Sequence, residues 1–410
     1  MSGASESQDY NMRLAYIALL CGGIIGALSF GIRSGFGVFL PPITAELGVG
    51  REIFAFSLAL QNLIWGATQP FAGAIADRYG PFRAICGGAI VYAAGTVLIA
   101  FSATPSMLHL SAGILVGAGL AGTSFGIILG AVGQLFPPER RSWALGVTGA
   151  SGSLGQFLLV PVTGSLVASF GWQDAALFMG LGSLVMVPLA IAFWPVKGTK
   201  ANPLPSGQSL GQALREALSY KSFWLLTSGF FVCGFQVAFI AVHLPAYVTD
   251  LGMPVTVGAS ALALVGLFNV VGSYSAGVLG GKFSKKYLLN ILYLARAVVI
   301  VFLLLVPPSE LVIYVFASAM GLLWLSTVPL TSGLVGQIFG MRYMSMLFGI
   351  VFFSHQIGSF LGVWLGGIVF DQTGSYDLIW YMSIALALFA GFIHWPIREE
   401  AIVRAPAPAE

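Results

Sequence analysis

Four ionisable residues interrupt long apolar segments of the sequence away from their ends: Arg33, His243, Arg296 and His355. Ionisable groups at the depth of a bilayer are costly and usually mark a pathway or a binding site. All fifteen Asp and Glu residues fall in predicted loops, tails or helix ends. A cavity with cations and no carboxylate favours an anion, because an unpaired buried guanidinium is strongly destabilising. The guanidinium fork matches a carboxylate, so these residues predict a site for a small organic anion.

Arg33 and His355 are the first two candidates for contact with that anion. Arg33 lies past the middle of the first apolar segment, where the alternative is snorkelling of its side chain to the outer interface. His355 lies near the middle of the eleventh segment, where the alternative is a hydrogen-bonded core histidine. A proton-coupled carrier needs a group that titrates near neutral pH, which excludes Arg. We therefore expect His355 to be the proton-coupling residue, with His243 as the second choice.

Other polar residues complete the predicted substrate contacts. His243 and Tyr247 lie one helical turn apart on the same face, and they are ligands, parts of a gate or packing groups. Arg296 stands in the middle of the ninth segment, where it binds either substrate or neighbouring carbonyl groups. Asn269 is the main polar residue of the eighth segment.

Long apolar helices must position these residues. Hydrophobic residues make up 57% of the chain, charged residues 8%, and the mean hydropathy is +0.91, which excludes a soluble globular protein. A membrane-spanning helix needs about 20 apolar residues. The first segment is too long for a signal peptide and follows Glu6 and Asp9. The sequence predicts twelve spans, at 14–40, 53–76, 82–103, 107–133, 142–169, 174–195, 222–248, 255–280, 287–306, 310–335, 345–370 and 376–397.

The basic residues predict the orientation of these spans, because short cytoplasmic loops retain Lys and Arg. The odd-numbered gaps between spans hold only Arg51. Both termini are therefore predicted to be cytoplasmic, in the inner membrane of a bacterium, and the net charge of +3 reflects this asymmetry rather than a nucleic-acid surface. The even-numbered gaps and their borders hold Arg78, Arg83, Arg140, Arg141, Lys197, Lys200, Arg215, Lys221, Lys282, Lys285, Lys286 and Arg342.

The two halves of the chain repeat each other. Leu40-Pro41 matches Leu244-Pro245 at a separation of 204 positions, and residues 132–136 match 335–339 at 203. This repeat predicts an all-α integral membrane protein of two pseudo-symmetric six-helix halves. The predicted regions are a cytoplasmic tail at 1–13, a bundle at 14–195, a cytoplasmic linker at 196–221, a second bundle at 222–397 and a cytoplasmic tail at 398–410.

The motif GAIADRYG at residues 73–80, followed by Arg83, resembles the signature between helices 2 and 3 of the major facilitator superfamily. That resemblance implies twelve helices in two halves and a cytoplasmic gate that comprises Gly73, Asp77, Arg78, Gly80 and Arg83. Asp77 is expected to lie against the positive N-terminal end of helix 11, with a solvated turn as the alternative.

Within that superfamily, the chain resembles bacterial monocarboxylate-transporter-like members. The resemblance rests on RRSWALG at 140–146, GIVFDQTGSY at 367–376 and a cation at Arg33. The chain lacks an Asp/Arg pair in helix 8, and Gly281 stands at the position that matches Asp77 in the second half.

These features predict a secondary active transporter of a small, monocarboxylate-like organic anion, working by alternating access as a proton symporter. The alternatives are a carboxylate exchanger or efflux carrier without proton coupling and, from another class, a membrane sensor on a transporter scaffold. The sequence has no nucleophile–base pair or metal-ligand cluster of an enzyme. GAGLAG at 117–122 lies within an apolar segment and indicates helix packing. The predicted partners are the anion, protons and the lipid bilayer, with no cofactor, no metal and no nucleic acid, and the protein is expected to be monomeric.

Overall fold

The computed structural model describes residues 2–136, 138–196, 210–340 and 344–402. Within these ranges the chain forms helices and no strands. Twelve of them, α1 to α12, cross the bundle: α1 (Ser2–Ser34, continued by Gly35–Phe39 and Leu40–Leu47), α2 (Arg51–Tyr79), α3 (Pro81–Ile99), α4 (Pro105–Leu108, His109–Leu115, Val116–Gly122 and Phe125–Leu135), α5 and α6 (Pro138–Ser183, divided at Gly171, with α6 continued by Met186–Ala190 and Ile191–Phe193), α7 (Lys221–Asp250), α8 (Val255–Gly280), α9 (Lys285–Leu305), α10 (Glu310–Leu323 and Thr327–Phe339), α11 (Met344–Thr373) and α12 (Asp377–His394).

The predicted count of twelve spans is confirmed, although the apolar character of the helices alone gives a lower number. Ten helical stretches of the described chain are long and apolar enough to cross a membrane. One of them, 146–193, contains both α5 and α6, because Gly171 has a φ of 82° and turns the chain between them. Helix α2 is not among the ten, since Gln61, Asn62 and Gln69 lower its hydropathy.

The backbone repeats between the halves as the sequence does. Gly48 and Gly252, 204 positions apart, end α1 and α7 with φ values of 61° and 80°. Gly171 and Gly374, 203 positions apart, have φ values of 82° and 70° in the turns α5–α6 and α11–α12. Only glycine adopts such values without strain, so the repeat preserves the turns that join the helices. Helices α4 and α10 are both interrupted near their middles, after Gly122 and after Leu323.

The first half (α1 to α6) and the second half (α7 to α12) meet along α1, α2 and α5 on one side and α7, α8 and α11 on the other. A Cβ atom at Gly37 would lie 2.3 Å from the carbonyl oxygen of Ala241, which shows how closely α1 approaches α7. The Gln156 side chain of α5 donates to the carbonyl oxygen of Leu262 in α8 at 3.0 Å. Close backbone approach at small residues is the usual way in which membrane helices pack.

The described residues of the two halves are joined by polar contacts at one end of the bundle. We call the end with the turns α1–α2, α7–α8 and α11–α12 the Arg51 end, and the end with the turn α2–α3 and the linker the Arg83 end. Towards the Arg83 end, a Cβ atom at Gly73, Gly149 or Gly349 would have no described atom within 4 Å. The described part of the protein therefore leaves space beside α2, α5 and α11 at these three positions. The linker contains a further helix, Leu210–Ser219, beside α7.

Candidate functional site

Arg33 lies in a cleft between the halves that is lined by α1, α2 and α7. Its Nη2 atom donates to Oδ1 of Asn62, and its guanidinium carbon is 5.2 Å from the centre of the Trp65 ring. Its Nε is buried and has no hydrogen-bond partner among the described atoms. The cleft is also lined by Ser34, Phe36, Gly37, Leu58, Gln61, Ala238, Ala241 and Val242. The side chain thus faces the opposite half and has a donor to spare.

No carboxylate neutralises Arg33 in the described part of the protein. The one salt bridge between described side chains joins Arg51 to Asp250 at the Arg51 end. Nearby polar groups of the cleft are carboxamides, which supply oxygen acceptors but no negative charge. A guanidinium in this position is most stable when an anion from outside binds beside it.

Asn62 and Gln356 lie between Arg33 and His355 and join the two halves there. Nε2 of Gln356 donates to the backbone carbonyl oxygen of Asn62 at 3.2 Å, and Asn62 holds Arg33. Oε1 of Gln356 lies 3.2 Å from Nδ1 of His355. Arg33 and His355, the first two predicted site residues, are therefore each one residue away from the contact between Asn62 and Gln356, which Asn62 makes through its backbone oxygen and not through the side chain that binds Arg33.

His355 faces the interior of the second half and is 8% exposed. Its ring lies 4.8 Å from the centre of the Phe230 ring and stacks on Phe352 at 5.8 Å. Its Nε2 has no oxygen or nitrogen partner among the described atoms, and the thiol of Cys233 lies beside the ring. A buried ring nitrogen without a partner is able to accept a proton or to contact a ligand.

Arg296 lies inside the second half, away from the cleft that contains Arg33. It is fully buried, and its Nη2 donates to the carbonyl oxygens of Leu323, at 2.7 Å, and of Trp324. These carbonyls are freed because α10 is interrupted there. Nη1 donates to Oε1 of Gln236 at 3.2 Å, and Nη2 also contacts Cys233. The geometry corresponds to the carbonyl-binding alternative, and substrate contact by Arg296 stays a prediction.

Asn269 joins the halves on the other side of the cleft. Its Nδ2 donates to Oγ of Ser153 in α5 at 2.8 Å, and its Oδ1 accepts from Oγ of Ser273 at 3.0 Å and from the amide of Leu325 at 2.9 Å. The side chain is thereby hydrogen-bonded at both atoms and caps the interruption of α10. Substrate contact by Asn269 stays a prediction.

His243 and Tyr247 lie close to the Arg51 end. Nε2 of His243 is 2.8 Å from the carbonyl oxygen of Val363, so this nitrogen carries the proton, and Nδ1 accepts from the hydroxyl of Tyr376 at 3.0 Å. Both ring nitrogens are therefore occupied in the neutral form. Tyr247 packs on Trp380 at 5.6 Å, within the second half. These contacts are those of gate or packing groups, and a substrate or proton role for either residue stays a prediction.

A set of polar contacts that we call the Arg51 clasp joins the halves at the Arg51 end. The guanidinium of Arg51 binds both carboxylate oxygens of Asp250, at 2.6 and 2.5 Å, and donates to the hydroxyl of Tyr376 at 2.9 Å. It also lies 3.7 Å from the centre of the Phe370 ring. The carboxylate of Asp371 accepts the backbone amides of residues 51 and 52, at 2.9 and 2.8 Å, and so caps α2 from the other half.

The predicted gate residues lie at the Arg83 end. Gly80, with a φ of 91°, forms the turn between α2 and α3 that the motif requires. Arg83 has its guanidinium 5.8 Å from the Tyr79 ring, and Gly73 faces open space. The side chains of Asp77, Arg78 and Ser345 lie outside the part of the protein that the structure describes, so the gate stays a prediction.

Sequence reasoning missed Asn62, Gln356 and the acidic partners of Arg51. Uncharged carboxamides are common in packed membrane helices, so nothing in the sequence separates Asn62 and Gln356 from the others. A usable signal did exist for the clasp: Arg51 is the one basic residue of the odd-numbered gaps, and Asp250 and Asp371 end the spans that reach the same side.

Comparisons with known proteins agree with this architecture. Residues 22–362 match the family model of the Major Facilitator Superfamily. The chain is 26% identical over 375 residues to the uncharacterized MFS-type transporter YcxA of Bacillus subtilis, with 87% of this chain and 88% of that protein covered. It is 28% identical to monocarboxylate transporter 13 of Bos taurus (88% and 84% covered) and 23% identical to the oxalate:formate antiporter of Oxalobacter formigenes (93% and 90% covered). A bacterial homolog of the human lysosomal transporter Spinster has the same fold, with a TM-score of 0.73, 16% identity and 96% and 99% coverage.

Proposed function

Since this chain belongs to the Major Facilitator Superfamily and is a multi-pass membrane transporter, we propose that it carries a small organic anion, with a monocarboxylate as its preferred class, by alternating access. The observation that carries this proposal is the guanidinium of Arg33, which lies between the halves with a free Nε and no described carboxylate beside it. A carboxylate would supply the missing charge and accept two parallel hydrogen bonds from the fork.

The named relatives support the same class of substrate. One relative is named a monocarboxylate transporter and another an oxalate:formate antiporter, and each of these names refers to carboxylates. The cleft of this chain adds aromatic and apolar walls, from Trp65, Phe36 and Leu58, around the single cation. A small anion with one carboxylate and a short apolar body fits that combination of groups.

We assign the Arg51 end to the periplasmic side and the Arg83 end to the cytoplasm. The retained basic residues at the Arg83 end and its linker support this orientation in a bacterial inner membrane, with both termini cytoplasmic. The clasp then closes the outer side, and the cleft opens inward. On this assignment, the structure corresponds to a state that releases its substrate to the cytoplasm.

Proton coupling is assigned to His355. Its Nε2 has no described oxygen or nitrogen partner, and Gln356 joins His355 to the backbone of Asn62, whose side chain binds Arg33. A bound carboxylate favours the imidazolium, and the imidazolium in turn favours the carboxylate, so both load together. His243, with both ring nitrogens bonded in its neutral form, is the less suitable group.

The test is binding and uptake with purified protein and proteoliposomes. A panel of labelled mono- and dicarboxylates identifies the substrate, and Arg33→Ala and Arg33→Lys are then compared with the wild type by calorimetry. Both variants are expected to lose affinity, and the lysine variant loses less because the charge remains while the bidentate fork is gone. Wild-type affinity in both variants would contradict the proposal.

A second candidate, exchange of one carboxylate for another without protons, is favoured by the relative named an antiporter. Counterflow in liposomes separates the two. An exchanger accelerates labelled uptake when the interior holds unlabelled anion and the pH is equal on both sides, and it gains nothing from an inward proton gradient. A symporter accumulates substrate when only that gradient is applied.

A further inference from the structure

We propose that Gln356 is a positioning residue: it selects the tautomer of His355, and it is itself held by the backbone carbonyl of Asn62 in the other half, the residue whose side chain binds Arg33. This inference rests on the proposed function for its role in transport. The positioning itself can be measured without any substrate.

The orientation of each carboxamide follows from its partners. Nδ2 of Asn62 donates to the carbonyl oxygen of Leu58 at 2.9 Å, which leaves Oδ1 as the acceptor for Arg33. Nε2 of Gln356 donates to the backbone carbonyl of Asn62 at 3.2 Å, which leaves Oε1 as the acceptor for His355. Neither amide can be reversed without placing two acceptors or two donors against each other. Each of the two amides therefore has a single orientation.

The orientation of the Gln356 amide determines which ring nitrogen of His355 carries the proton. Because Oε1 of Gln356 can only accept, Nδ1 of His355 must donate. Oγ of Ser359 donates to the carbonyl oxygen of Gly234 at 3.2 Å, and at 3.5 Å from Nδ1 it is a weaker acceptor than Gln356. In the neutral ring the lone pair is consequently on Nε2, the nitrogen with no described oxygen or nitrogen partner. An arriving proton binds there, while Nδ1 stays bonded to Gln356.

The surroundings of His355 contain few other charges. From α7 the thiol of Cys233 lies beside the ring. From α9 Arg296 reaches Cys233 at 3.5 Å and contributes the fixed positive charge in the neighbourhood. The groups that α2 and α11 present are aromatic rings, a hydroxyl and the carboxamides. Gln356 is thus the position at which a single substitution changes the charge next to Nδ1.

The hydrogen bond from Gln356 to Asn62 crosses between the halves and so depends on the state of the transporter. When the halves separate at this level, Gln356 loses its acceptor, and its amide is free to turn its nitrogen towards His355. The ring is then no longer held with Nδ1 as the donor. The link gives a physical route by which the rocking of the halves changes the ability of His355 to hold a proton.

The first experiment measures the tautomer directly. Nitrogen-15 NMR of protein labelled at its four histidines, with the His355 signal assigned by its absence in His355→Gln, is expected to show His355 protonated at Nδ1. His243 serves as an internal reference of the opposite tautomer, since its Nε2 donates to Val363. In Gln356→Leu the His355 signal is expected to move towards the Nε2-protonated form. Protonation of wild-type His355 at Nε2, or an unchanged signal in Gln356→Leu, would overturn the proposal whether or not the protein carries anions.

The second experiment measures the pH at which anion uptake is half-maximal. Gln356→Glu places a carboxylate against Nδ1, so the midpoint is expected to rise by about one to three pH units. The matched control is Gln156→Glu, which breaks the corresponding bond to Leu262 across the halves and adds the same charge away from His355. The control lowers the rate but leaves the midpoint unchanged. Equal midpoints in Gln356→Glu and the wild type would overturn the positioning role of Gln356. Absence of anion uptake by the wild-type protein would instead overturn the proposed function, and the NMR result alone would then decide the tautomer.

Discussion

Loosening the Arg51 clasp is predicted to shift the protein towards a state that is open at the Arg51 end. The perturbation is Asp250→Asn, which keeps the size of the side chain and removes the charge opposite Arg51. Arg51 retains its contacts with Tyr376 and Phe370, so only the ion pair is weakened.

The size of the shift follows from the geometry of the pair. The contact is bidentate, at 2.6 and 2.5 Å, with the side chains of Arg51 and Asp250 exposed by 14% and 32%. Exposed ion pairs contribute up to about 1 kcal/mol, and hydrogen bonds to charged groups about 1.5–3 kcal/mol. The partial exposure places this pair between those limits, at about 1–2 kcal/mol. The ratio of open to closed protein should then rise roughly 5- to 30-fold.

The assay is the rate at which a membrane-impermeant thiol reagent reaches Ala241→Cys from the Arg51 side. Ala241 packs against Gly37 in the closed state, and replacement of Cys21 and Cys86 by serine removes the other partly exposed thiols. The labelling rate should rise by the same factor as the open population. The matched control is Asp377→Asn, which removes a neighbouring acidic charge that does not bond to Arg51. Equal rates in Asp250→Asn and Asp377→Asn, or no increase over the wild type, would refute this account of the clasp.

Three further substitutions test other parts of the molecule. Asp77→Asn should remove an attraction to the start of α11 and open the protein at the Arg83 end, so that transport falls while binding survives; unchanged cysteine accessibility on that side would count against the gate. His355→Gln should retain counterflow but lose the accumulation of substrate that a pH gradient alone drives. If that accumulation persists, the proton-coupling residue is His243, or the transporter is not coupled to protons. Arg296→Gln should leave the carbonyls of α10 unpaired and lower the thermal unfolding temperature at a cost of about 2–4 kcal/mol, with anion affinity per folded molecule retained; lost affinity in a stable variant would instead place Arg296 in the site.

Apolar length and the internal repeat made the fold predictable from the sequence. The turn glycines at 48 and 252 recur at the separation that the sequence shows, because the same turn is needed in both halves. The interruption of α10 was not predictable in this way, since residues 310–335 form one apolar run. Because the sequence does not reveal this interruption, it leaves open whether Arg296 binds backbone carbonyl groups or the substrate.

The ionisable residues of the candidate site were predictable from the sequence, whereas the uncharged residues that lie between them were not. Arg33 and His355 stand out because ionisable groups are rare in these helices. Asn62 and Gln356 are 294 positions apart, and their contact depends on the packing of α2 against α11. The contacts of the Arg51 clasp were not predictable for the same reason, since its partners are separated by 199 to 325 positions along the chain. Long-range pairs of this kind are set by helix packing rather than by local pattern.

Calorimetric titration of Asn62→Asp with the transported carboxylate tests most directly whether Arg33, which has no described carboxylate beside it, receives its counter-charge from the substrate. Asn62 already holds Arg33 through Oδ1, so the substitution adds a negative charge at that atom with almost no change of shape. Two unit charges about 4 Å apart attract by about 4 kcal/mol at an effective dielectric constant of about 20, and an incoming anion would have to compete with that attraction. Asn62→Asp also loses the bond from Nδ2 to the carbonyl oxygen of Leu58, so the unfolding temperature is expected to fall, and affinity is compared per folded molecule. That affinity is expected to fall at least about 100-fold. Wild-type affinity in Asn62→Asp would contradict this account of Arg33.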